Sequence, residues 1–223
     1  CVPFPIFLEP RLEGAQPADK QQETVVARTL EFYFDYGSPY SYLADTQVEA
    51  IARRTGAALQ RKPMLLGGIF KSTGNASPMT VALKSQWSAF DMPLWARFYK
   101  VPFNRNPHFP VNTLNLMRGA TAAQIDGVFE RYHPAMYKAM WVDGRNLNDI
   151  KEVAAVLTAA GLDAQKFGNR IQDQDVKDRL KATTDEAVAR GVFGAPTCFV
   201  DGTLFFGNDR LDFVELALKG ELP

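Results

Sequence analysis

One short run and the three residues after it constrain this chain more than any other stretch. In Leu30 to Tyr36 (LEFYFDY), Leu30, Phe32 and Phe34 fall on one face and Glu31, Tyr33 and Asp35 on the other, the period of two that marks a strand. Gly37-Ser38-Pro39 stops it. From Tyr40 to Arg54, Leu43, Val48 and Ile51 share one helical face and Gly56 closes it, so Ser38 stands near the N-cap with Pro39 in the first turn. A second apolar run, Ala57 to Leu66, follows at once and ends at Gly67-Gly68. Strand, helix, strand in that order predicts a parallel pair joined by a right-handed crossover.

From about Ile69 to Ile171 the pattern is helical throughout. Leu83, Trp87, Phe90, Leu94 and Phe98 recur at intervals of three and four, and Asp91-Met92-Pro93 predicts a kink or a new helix start. Further helical runs cover about Asn112–Ala122, Ala123–Trp141 and Asn146–Ala160. A helix over Asp173–Arg190, closed by Gly191, leads into Gly194-Ala195-Pro196-Thr197. Two short apolar runs, Cys198–Val200 and Thr203–Phe206, then flank Asp201-Gly202, a strong hairpin signal. Gly207-Asn208-Asp209 opens a last amphipathic helix through Leu218.

Charge and sulfur exclude several functions. The 223 residues carry 25 basic and 25 acidic side chains, with none of the cationic excess that a phosphate backbone selects for, so nucleic acid is not an expected partner. The 2 cysteines, Cys1 and Cys198, sit at opposite ends, which provides neither a CxxC pair nor a zinc quartet. With only His108 and His133 for histidines, no metal site is expected. No run approaches the roughly 18 to 20 apolar residues of a spanning helix, so a soluble chain without a membrane partner is expected. Residues 1–28 mix four prolines with charges and read as a poorly structured leader, with lipid modification of Cys1 as a minor alternative.

A βαβ unit, a helical stretch and a ββα unit preceded by Gly-Ala-Pro-Thr resemble the DsbA-like branch of the thioredoxin fold. Within it the chain resembles the 2-hydroxychromene-2-carboxylate isomerases and the kappa-class glutathione transferases. Five separated motifs carry the resemblance: Phe32–Ala44 (FYFDYGSPYSYLA), Lys62–Asn75 (KPMLLGGIFKSTGN), Lys84, Val192–Thr197 (VFGAPT) and Phe206–Leu211 (FGNDRL). The fold class implied is α/β, a thioredoxin-like fold (βαβ…ββα) with a large all-helical insertion. Residues 29–68 and 184–223 would form the thioredoxin-like part and 69–183 the insertion.

Where a redox relative has Cys-Pro-X-Cys, this chain reads Ser38-Pro39-Tyr40-Ser41, so the protein itself cannot exchange disulfides. A hydroxyl at a helix N-terminus can donate a hydrogen bond to a bound thiolate, beside the positive end of the macrodipole. Read alone, Ser38 is an ordinary helix cap. The resemblance assigns it the catalytic role of facing the glutathione sulfur, with Ser41 structural.

By the same resemblance glutathione is the cofactor. Pro196 would be a cis proline, with the Ala195 backbone contacting the extended tripeptide. Asn208 and Asp209 would meet the γ-glutamyl end, with Asn75 and Lys84 contacting the rest and Lys84 facing the glycyl carboxylate. Tyr40, Phe70, Trp87 and Trp141 are candidates for an aromatic substrate pocket. Arg105, His108, Asn112 and Arg118 are candidates for a substrate carboxylate, and the bland alternative for all of these is core packing or a solvated surface.

Three functions are compatible with this reading. The first is a glutathione-dependent isomerase of a small aromatic acid, the second a kappa-like transferase that conjugates glutathione to electrophiles, the third a non-catalytic peptide-binding module. The resemblance also implies a homodimer and a cytoplasmic location.

Overall fold

The computed structural model describes residues 28–222. The leader expected at residues 1–28, including Cys1, lies outside them except for Arg28. Its guanidinium donates to the Ala217 carbonyl and pairs with Asp201 at 3.0 Å, while its carbonyl accepts from Ala58 N–H.

Strand β1 (Thr29–Phe34) leads through the Asp35–Ser38 turn into helix α1 (Pro39–Thr55) and strand β2 (Ala58–Pro63). Helices α2 (Leu66–Thr73), α3 (Ala82–Tyr99), α4 (Leu114–Ile125), α5 (Phe129–Trp141), α6 (Ile150–Ala159), α7 (Ala164–Arg170) and α8 (Gln174–Ala189) follow. The chain then returns through β3 (Thr197–Val200), β4 (Thr203–Phe206) and α9 (Leu211–Lys219). The sheet order is β2-β1-β3-β4, with β1 parallel to β2 and antiparallel to β3, as a βαβ unit and a hairpin on one sheet require. Asp201 and Gly202 both take positive φ, 49° and 82°, the mirror-image turn that matches strand twist.

The period of two in β1 sorts its side chains between two cores. Leu30, Phe32 and Phe34 pack with Leu43, Val48 and Ile51 of α1 and with Leu211, Val214 and Leu218 of α9. On the opposite face Tyr33 and Phe199 pack with Met64, Ile69 and Ala187, because α2 and α8 cover that side as well. Glu31 survives there by pairing with both guanidinium nitrogens of Arg190 at 2.7 and 2.8 Å, and Arg190 lies 3.8 Å over the Phe199 ring.

Four expectations change. The second apolar run divides, because β2 ends at Pro63 and Leu66 already begins α2. Pro93 neither breaks α3 nor starts a new helix: the segment stays helical from Ala82 to Tyr99. The stripe Leu83, Trp87, Phe90, Leu94, Phe98 faces outward, while Met92 and Ala96 are buried. The seams expected at 68/69 and 183/184 both fall inside helices, α2 and α8.

Candidate active site

The site begins under the floor. Asp35 is fully buried; one of its oxygens accepts from Gly37 N–H and the other from Leu66 N–H, each at 2.8 Å, so a single carboxylate fixes the turn before α1 and the start of α2. Burial pushes its pKa up, against the pull of these donors.

That turn presents Ser38. Its backbone is extended (φ −96°, ψ 113°), Pro39 fills the first helical position, and its Oγ accepts from Ser41 N–H at 3.1 Å. The same hydroxyl donates to the Ala195 carbonyl at 3.1 Å. Ser38 is therefore a cap and also a link to the loop carrying the cis Ala195-Pro196 peptide bond. No acidic residue occupies the first turn of α1, so no side-chain charge there offsets its positive end.

Above this floor opens a cleft of about 760 Å³. Ser38 and Tyr40 from the start of α1 line it together with Ala195 and Pro196, and Phe70 of α2 and Asn75 of the loop beyond it join them. Lys84 and Trp87 of α3 and Asn208 and Asp209 of the turn before α9 complete these positions. The ten residues expected to bind or activate glutathione and substrate in these positions thus share one cavity. His108 and Arg118 do not line it. Asn106, buried and bonded to the Met140 and Arg145 carbonyls, anchors the 104–109 loop and leaves His108 exposed; α4, which carries Arg118, packs on α5 and α8. Of the four residues considered for a substrate carboxylate only Arg105 reaches the cleft, and Trp141 reaches it as well, donating to the Tyr36 carbonyl at 2.8 Å.

The polar groups differ in how committed they are. Asn75 bridges two loops, its amide donating to the Phe193 carbonyl at 2.8 Å and its oxygen accepting from Ala76 N–H. Lys84 and Arg105 form no ion pair with the described residues, whereas Asp209 pairs with Arg210 at 2.8 Å. Asn208 is buried and its Nδ2 lacks a hydrogen-bond partner. The last helix does not start here as expected: Gly207, at φ 104° and ψ 154°, turns the chain into one 3-10 turn, Asn208–Arg210, before α9.

Among the cleft residues without a role in the sequence reading is one carboxylate. Asp91 of α3 is 7% exposed and accepts the Tyr40 hydroxyl at 2.8 Å. Its signal is that it is the one carboxylate between Ala82 and Tyr99, at the Asp91-Met92-Pro93 step where a kink is expected.

Among the described residues the one thiol is out of reach. Cys198 is buried in β3, and burial pushes its thiol up to about 12.

The model of the DSBA-like thioredoxin domain matches residues 29–219. The chain belongs to that family. Among its relatives, the 2-hydroxychromene-2-carboxylate isomerase of Sphingobium xenophagum is 33% identical over 192 residues, covering 85% of this chain and 97% of the relative. Glutathione S-transferase kappa 1 of Rattus norvegicus is 29% identical, covering 86% of this chain and 91% of its own. A solved 2-hydroxychromene-2-carboxylate isomerase superposes with a TM-score of 0.75 at 27% identity, over 85% of this chain and 94% of that one.

Proposed function

We propose that the protein is a glutathione-dependent isomerase acting on a small aromatic acid of the 2-hydroxychromene-2-carboxylate type. The observation that carries the reading is a hydroxyl, Ser38, held at the N-terminus of α1 beside cis Pro196, with the Cys198 thiol buried in β3. Glutathione, when bound, supplies a thiolate that adds to a conjugated double bond and leaves once the bond has rotated. Ser38 donates to that sulfur by turning its hydrogen away from the Ala195 carbonyl; a hydrogen bond to a charged group is worth about 1.5 to 3 kcal/mol, or about one to two pKa units. Ala195 contributes backbone contacts. Asn208 and Asp209 hold the γ-glutamyl end, Lys84 the glycyl carboxylate, and Asn75 fixes the loop between them. Tyr40, Phe70 and Trp87 enclose the aromatic ring, and Arg105 meets the substrate carboxylate in the place considered for His108 and Arg118.

The same residues support a transferase, a reading favoured by the kappa-class relatives, in which the thiol leaves with the product. Mass balance separates the two: the protein is given 2-hydroxychromene-2-carboxylate and then a chlorodinitrobenzene-type electrophile, and glutathione is counted. Isomerisation without loss of glutathione is expected. Stoichiometric loss without isomerisation overturns the isomerase reading, and the absence of saturable glutathione binding supports the peptide-binding module instead.

We further propose that the protein is a homodimer that pairs through α3. Leu83, Trp87, Phe90 and Phe98 are 60–75% exposed on one face of a helix whose opposite face is already packed on α1. A cytoplasmic location accords with this chemistry, since glutathione is kept reduced there. Among the described residues no helix is long and apolar enough to cross a membrane.

A further inference from the structure

The cleft contains a carboxylate that none of the roles above uses. Asp91 is 7% exposed, lines the cavity beside Ser88 and Met92, and has no cation within ion-pair distance among the described residues. Its Oδ2 accepts the Tyr40 hydroxyl at 2.8 Å, and its Oδ1 takes no hydrogen bond from the described residues. Oδ1 is also not among the buried atoms left without a partner, so it keeps access to the cleft. A carboxylate withdrawn from water is costly unless paired, and a single neutral phenol is a poor pairing for one. Tyr40 stands in the first turn of α1, two residues beyond Ser38, so this carboxylate and the thiol-activating hydroxyl serve the same cavity.

The substrate class requires a proton carrier. In a 2-hydroxychromene-2-carboxylate one carbon bears a hydroxyl, the ring oxygen and the carboxylate, which makes it a closed hemiketal. The ring locks its double bond in the cis arrangement, and no rotation is possible until the bond from that carbon to the ring oxygen opens. We propose that Asp91 is the catalytic residue that opens it, with Tyr40 positioning its carboxylate. This rests on the isomerase reading. The free oxygen of Asp91 takes the hydroxyl proton, and the O–H electron pair becomes the C=O of an α-keto acid. The ring C–O bond breaks with its pair on the phenolic oxygen, which takes the proton back from Asp91. Atoms and charge balance with no further reactant. The two oxygens share one carbon, so one carboxylate oxygen can serve both. Burial and the Asp91 charge push the Tyr40 pKa above its ordinary value, keeping that phenol a donor.

Ring opening can be read apart from the thiol step by filling the glutathione site with γ-glutamyl-alanyl-glycine, which has no sulfur. Exchange between the closed and the cis-open substrate is then followed by NMR with wild-type protein, Asp91→Asn and Tyr40→Phe. Wild type should accelerate the exchange, and Asp91→Asn should lose about a hundredfold or more in it and in isomerisation, the usual worth of a general acid–base group. Tyr40→Phe should lower kcat with KM unchanged, and both variants should bind glutathione as wild type does by calorimetry. A wild type that isomerises with glutathione but does not accelerate exchange, or an Asp91→Asn that turns over at the wild-type rate, overturns the role of Asp91 while leaving the isomerase reading standing. Weakened glutathione binding in Asp91→Asn with kcat intact assigns the carboxylate to the tripeptide and likewise overturns it. Should Asp91→Asn fail to fold, Tyr40→Phe with unchanged kcat overturns the positioning. A wild type without isomerase activity defeats the functional reading itself and this role with it.

Discussion

The Ser38 hydroxyl makes two bonds, and only one of them competes with a ligand. It accepts from Ser41 N–H as the cap of α1 and donates to the Ala195 carbonyl. In the proposed complex a thiolate would draw on the donated hydrogen alone and leave the cap in place. Substitution should separate the two contributions. Ser38→Ala should cost about 1 kcal/mol of stability through the cap, whereas Ser38→Gly should cost only a few tenths. Both should raise the bound thiol pKa by about one to two units, which lowers the thiolate fraction at neutral pH and moves the activity optimum upward. Ultraviolet titration of the thiolate, set beside urea unfolding, reads both quantities; a Ser38→Gly variant with an unshifted thiol would show that the hydroxyl acts as a cap only. Ser38 was legible in the sequence because a strand, a Ser-Pro and a helix leave few places for its side chain. His108 and Arg118 were not, because their distance from the cleft is decided by Asn106 and by the packing of α4, neither of which has a local signature.

At the scale of elements, α1 and α5 are tied to β2 and to the turn after β1 through buried and partly buried polar groups. His133 of α5 bonds the Tyr36 hydroxyl through Nδ1 at 3.0 Å and Asp45 of α1 through Nε2 at 2.9 Å, and Arg61 of β2 donates to the same Asp45 oxygen at 2.8 Å. Burial works to raise the Asp45 pKa, but His133 and Arg61 prevail and hold it below the ordinary value of 3.8. A depressed native pKa means that the ionised form is the one the fold stabilises. Its contribution is therefore present above the unfolded value and is lost as pH falls through the lower native value. Asp45→Asn should cost about 3 kcal/mol or more at neutral pH, the usual penalty for breaking a buried pair from one side. In urea unfolding across the acid range, the gap between variant and wild type should close below the ordinary carboxylate range; a constant gap would mean that the charge is immaterial. The sequence showed that these helices exist from their periodicity, while their pairing through His133, to which no role had been assigned, depends on contacts across 88 and 97 residues.

For the whole molecule the balanced charge of 25 against 25 has a local counterpart. With no net field to draw in the proposed anionic tripeptide, attraction would come from Lys84 and Arg105, which have no ion pair among the described residues, and from the end of α1. Helix α3 then carries two duties that its composition blurs. It is apolar on both sides, so periodicity revealed a helix but not which stripe met the core. The inward face buries Met92 and Ala96, and the outward stripe, which includes Trp87 of the cleft lining, is the surface proposed above to meet a second copy. Replacing Phe90 and Leu94 together with glutamate places charge on that stripe without touching the floor of the cleft. Sedimentation should show a wild-type dimer and a folded monomeric variant. If the dimer also shields Trp87, the monomer should have a raised KM for the aromatic substrate with glutathione affinity little changed, because Trp87 stands where the two surfaces meet. A monomeric wild type, or a double variant that remains dimeric, would remove α3 as the interface and leave its exposed stripe to another partner.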